Sequence, residues 1–106
     1  MDRTPDPISL ATARNLPWKP GRSAEAFIDG DLEIRFTPRP TAGPQTPHQR
    51  DEAYFIAAGS GHYRVEGKVT SVNAGDICFA AAGVVHGFEN FTEDFAIWII
   101  FYGPVK

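Results

Sequence analysis

From residue 23 onward the chain alternates between apolar and polar positions. In "DLEIRFT", Leu32, Ile34 and Phe36 fall on one face and Glu33 and Arg35 on the other, the period of a half-buried strand. "SAEAFID", just before it, ends at Gly30-Asp31, which reads as a tight turn. Further strands are expected in "EAYFIAA", closed by Gly59-Ser60-Gly61, and in "HYRVEGKVTSV", a hairpin turning at Gly67-Lys68. "GDICFA", "HGFENF" and "FAIWIIFY" supply the rest, with "AAGVV" as a turn. "PRPTAGPQTP" is too proline-rich for a regular ladder. The last strand is apolar on both faces, which fits a position covered from two sides or a subunit interface. About eight short strands and no long helix predict an all-β sandwich or barrel.

Residues 1–22 break this rhythm. In "ISLATARNLPW", Ser9 is placed to cap a short helix running to Asn15, and Pro17 stops it. Leu10, Leu16 and Trp18 give this piece an apolar edge. The chain is therefore divided into an N-terminal arm, 1–22, that packs on the barrel or a partner subunit, and a β-barrel domain, 23–106.

Composition narrows the class. The 106 residues suffice for one core without staples. Ten glycines and nine prolines sit mostly between apolar runs, the punctuation of tight turns. The net charge is −3 and no Lys/Arg block occurs, so neither a nucleic-acid groove nor an anionic membrane surface is expected. Cys78 is the only cysteine, which excludes an internal disulfide and any cysteine-rich zinc site; within "DICFA" it reads as a buried small hydrophobe. A cytoplasmic location is expected, since no secretory leader is visible and "FAIWIIFY" is too short to cross a bilayer.

The chemistry lies in three histidines and their neighbours. Thr46, His48, Glu52, Tyr54 and Ile56 differ by even numbers, so one strand would point them the same way, into the interior. An imidazole and a carboxylate facing an apolar interior need a partner. His86 supplies one if the second hairpin folds over the first. Two imidazoles and a carboxylate then form a three-ligand site for a divalent metal, with positions left for water or substrate. His62 reads as an exposed hairpin residue, Arg64 as an outward-facing one, and Asn90 as a turn residue satisfying nearby backbone. Ile56, Tyr63, Phe79, Phe88 and Trp98 are candidate lining of the pocket around the metal.

"GDICFAAAGVVHGFEN" resembles the second motif of the cupin family, in the spacing of Gly75, Ala81, Gly83, His86 and Asn90; Ala81 stands where proline is usual. Glu52, six residues and Gly59, with His48 four before Glu52, resemble the first motif, in which Thr46 replaces the usual first histidine. The resemblance runs from about Asp31 to Gly103 and implies an antiparallel jelly-roll barrel, also called a double-stranded β-helix. It also implies one divalent metal (iron, zinc, nickel or manganese) held by His48, Glu52 and His86. Three arrangements of the fourth place follow: water fills it, Gln45 reaches in, or Thr46 leaves the ion weakly held or absent. Asp51 is a candidate for the shell behind the ligands. Tyr54 is the first candidate for a catalytic proton-transfer or orienting role. The resemblance implies a small-molecule substrate, with dioxygenase, isomerase or lyase chemistry open, and a homodimer. A non-catalytic binding or sensing barrel and a metal-free structural barrel are the rival readings.

Overall fold

The structure, a computed structural model, describes residues 5–45 and 48–106. One short helix, α1 (Leu10–Arg14), precedes nine strands. These are β1 (Ala24–Asp29), β2 (Leu32–Thr37), β3 (Gly43–Gln45), β4 (Asp51–Ala58), β5 (Ser60–Val65), β6 (Lys68–Asn73), β7 (Ile77–Ala80), β8 (His86–Glu89) and β9 (Ala96–Tyr102). They form a five-stranded sheet in the order β1-β2-β9-β4-β7 and a four-stranded sheet in the order β3-β8-β5-β6, every pairing antiparallel. The protein is a jelly-roll barrel whose two sheets close over a shared interior.

Alternation decides what faces that interior. On β4, Glu52, Tyr54 and Ile56 are buried; they pair across β9 with Phe101, Ile99 and Ile97. The interior core joins Tyr54, Ile56, Tyr63, Val72, Cys78, Ala80, Phe88, Phe95 and Ile97. Strand β9 lies between β2 and β4, and its two faces are covered separately: Ile97 and Ile99 join the interior core, while Ala96 and Trp98 meet a second cluster on the outer face. There Phe36, fully buried, packs with Ala13, Ala96, Leu10, Leu16 and Trp98 beneath α1. The Ser9 hydroxyl caps α1 by accepting from Thr12 N at 3.0 Å.

Two local expectations are corrected. The proline-rich stretch does carry a strand: β3 pairs with β8, Pro44 opposite Gly87. It is a three-residue edge strand, where proline's missing N–H is tolerated. The β5–β6 hairpin turns at Glu66-Gly67, one residue earlier than expected; both have positive φ, 50° and 79°, as a tight two-residue turn demands. Gly59 ends β4 at φ 77°, where an added Cβ would lie 2.9 Å from Phe95 Cα, so the spacing from Glu52 to Gly59 has a steric origin.

Candidate metal centre

Glu52 comes from β4 and His86 from β8, strands of opposite sheets, so the two meet across the interior. Both side chains are 1% exposed. His48 precedes β4 and stands at the mouth, 42% exposed, its ring edge-on to Phe101 at 5.2 Å. One ligand atom from each of the three lies within 4.8 Å of the others. His86 Nε2 is 2.7 Å and His48 Nε2 3.5 Å from Glu52 Oε1.

The protons can be placed. His86 Nδ1 donates to the Val84 carbonyl at 2.8 Å, which turns the Nε2 lone pair inward in the neutral ring. The Tyr54 hydroxyl, 2.7 Å away, donates to that lone pair. Despite the short His86–Glu52 distance, no hydrogen-bond geometry joins the two, and neither Glu52 oxygen has a hydrogen-bond partner among the described residues. A buried carboxylate left this way is costly, by several kcal/mol for a bare ion. A cation between carboxylate and imidazoles removes that cost. The donor set, two nitrogens and one oxygen with an open side at His48, fits a divalent ion.

Electrostatics agree with that arrangement. Burial alone would lower the His86 pKa, but contact with Glu52 and the bond to Val84 outweigh it, and the net shift is upward from 6.5. Burial, then the Glu52 charge, pushes the Tyr54 hydroxyl far above its ordinary range, so it stays a neutral proton donor at any physiological pH.

The two ligand-bearing segments are tied to each other by backbone. Gly83 N donates to His48 O at 2.8 Å, and Ala82 N donates to Asp51 Oδ1 at 2.9 Å. Asp51 also pairs with Lys106, whose hydrogen bond is the main cause of its lowered pKa. A cleft of about 210 Å³ opens above the centre, lined by His48, Glu52, Tyr54, Phe88, Ile97, Ile99 and Phe101 from the barrel and by Gly21, Arg22, Ser23, Thr37, Pro40 and Thr41 at the rim.

Residues 32–102 match the family model of the cupin domain. This chain is a cupin. An uncharacterized protein of Streptomyces coelicolor is 34% identical to it over 64 residues, 60% of this chain and 61% of that one. An oxalate-binding protein of Thermotoga maritima is 32% identical over 57 residues, 54% of this chain and 47% of that one. The match thus spans less than two thirds of the first relative and about half of the second. Among solved structures, a cupin-2 domain protein of Shewanella frigidimarina superposes with a TM-score of 0.71 at 17% identity, covering 91% of this chain and 94% of that one.

In this cupin the expected site residues separate into three groups. His48, Glu52, Tyr54 and His86 come together, with Phe88 in the cleft wall and Ile56 and Tyr63 in the core below. Phe79 and Trp98 do not line the cleft. Strand alternation sends Cys78 and Ala80 inward and Phe79 out, 51% exposed; it sends Ile97 and Ile99 inward and Trp98 out, edge-on to Phe36. Asp51 lies outside the ligand cluster and anchors the turn leading to His86. Thr46 and the Gln45 side chain lie outside the described residues, though the Gln45 backbone pairs with His86. Sequence reasoning missed Phe101, which the inward alternation of β9 would have found, and the rim residues 21–23, which carry no motif.

Proposed function

We propose that this cupin binds one divalent metal through His48, Glu52 and His86 and acts on a small molecule in the cleft above it. The observation that carries this reading is the buried Glu52 carboxylate, without a hydrogen-bond partner among the described residues and faced by two imidazole nitrogens. Iron, zinc, nickel and manganese all accept such ligands. When bound, the ion supplies Lewis acidity to a coordinated oxygen. Tyr54 is the group that would hold a proton beside that oxygen: it is neutral and buried, and once an ion takes the His86 Nε2 lone pair its hydroxyl is released to donate elsewhere in the centre. Phe88, Ile97 and Ile99 exclude water around it. Elemental analysis of the purified protein beside His86→Ala tests the centre. A near-stoichiometric divalent metal in the wild type, lost from a variant that still folds, supports it. No metal after reconstitution with all four ions would move the reading to the structural barrel.

We further propose that the protein works as a homodimer, in the cytoplasm, where its single unpaired thiol would persist. The outer face of the five-stranded sheet supports the dimer: Ile77, Phe79, Phe55 and Tyr102 are exposed on it in neighbouring strands. A second copy of the same largely apolar face is its fitting cover, by a two-fold contact. Phe79→Arg is expected to convert a dimer to monomer in sedimentation while leaving metal content unchanged.

A further inference from the structure

The cleft rim is built by the arm, and one of its residues is presented without a partner. Arg22 lines the cleft that contains His48 and Glu52. Its side chain is exposed, and its backbone is held at both the N–H and the carbonyl. Arg22 N donates to Lys19 O at 3.1 Å, and Trp18 Nε1 donates to Arg22 O at 2.7 Å and to Thr37 Oγ1 at 3.1 Å. The next residue, Ser23, is clamped by Arg35, which donates to its Oγ at 2.6 Å and its carbonyl at 2.7 Å.

The guanidiniums of the barrel are all engaged. Arg35 and Arg50 share Glu33, Arg64 pairs with Glu89, and Arg39 reaches Glu93 O and the Phe91 ring. The Arg22 guanidinium has no such contact among the described residues. Glu52 is the one acid of the cleft lining, and a divalent ion would overcompensate it. The loaded cleft is therefore net positive at both ends, with neutral walls between.

We infer that Arg22, positioned by Trp18 and Arg35, recognises a carboxylate on the bound molecule, and that the ligand class is a short carboxylic acid. This rests on the metal-centre reading above. The guanidinium fork matches a carboxylate in a bidentate pair. The cleft of about 210 Å³ suits a small ligand. One end of such a molecule meets the ion beside His48 and the other meets the arm, outside the 32–102 span of the family match.

Calorimetry on metal-loaded protein tests this, with malonate, its neutral analogue malonamide, and inorganic phosphate as probes. Arg22→Gln is expected to weaken malonate at least tenfold, leave malonamide within twofold, and keep the metal content of the wild type. Trp18→Phe, which removes the indole donor but not the ring, is expected to weaken malonate several-fold by the same route. Unchanged malonate affinity in Arg22→Gln with metal retained overturns the inference and leaves the metal centre standing. No malonate binding to the loaded wild type, or phosphate bound more tightly than malonate, overturns the carboxylate class. A wild type that holds no metal overturns the reading beneath and the inference with it.

Discussion

The two faces of the five-stranded sheet follow opposite rules although the same strands build them. On β9, Ile97, Ile99 and Phe101 face inward beside Glu52 and Tyr54, while Trp98, Ile100 and Tyr102 face outward. The inner face places ionisable groups in an apolar enclosure and leaves a carboxylate unsatisfied. The outer face is apolar where α1 lies on Phe36 and Trp98, and residues 5–8 of the arm border its continuation at Leu32, Ile34 and Ile100. The cluster beneath the arm is wholly apolar, whereas the interior core, though larger, gives up stability where the ligands meet.

That contrast can be broken from either side. The largest effect is expected outside: Phe36→Ala removes a fully buried ring beneath the arm and should cost about 3–5 kcal/mol in urea unfolding. A loss below about 1 kcal/mol would mean that the cluster joining arm and barrel is not part of the folded core. Inside, the sign reverses. Glu52→Leu should abolish metal binding yet stabilise the metal-free protein by roughly 1–3 kcal/mol at alkaline pH, because it removes an unpartnered carboxylate while His86 keeps Tyr54 and Val84. Destabilisation of the metal-free variant would show that Glu52 has partners after all.

The smallest effect is a pH slope. The folded pKa of His86 is raised above its ordinary 6.5, so the folded state holds that proton more tightly than the unfolded chain does. Its contribution is fully present below 6.5 and is lost as pH rises through the raised value. Denaturation midpoints of metal-free protein should fall over that window, and the fall should vanish in Glu52→Leu. Metal affinity should run the other way, rising with pH as the competing proton leaves.

How much of this was legible depended on whether backbone or tertiary closure was responsible. The spacing from Glu52 to Gly59 could be read because Gly59 has no room for a side chain. Asn90 could be read because it takes a left-handed φ of 52° at the end of β8. The convergence of His48, Glu52 and His86 followed from alternation plus a resemblance to a known family. β3 was hidden because three residues containing a proline carry no period. Phe79 and Trp98 were misplaced because an aromatic residue looks the same whether a core or an outer cover receives it. Arg22 was invisible because its place at the cleft depends on Trp18 folding back nineteen positions ahead of Thr37.

Both tryptophans of the chain belong to the contact between arm and barrel. Trp18 fastens the rim through its indole nitrogen, and Trp98 lies in the cluster that receives Leu10, Ala13 and Leu16. Neither lines the cleft. Intrinsic fluorescence of the unlabelled protein is therefore an optical gauge of arm docking, and a ligand that draws the rim inward would announce itself in the emission spectrum before any product is assayed.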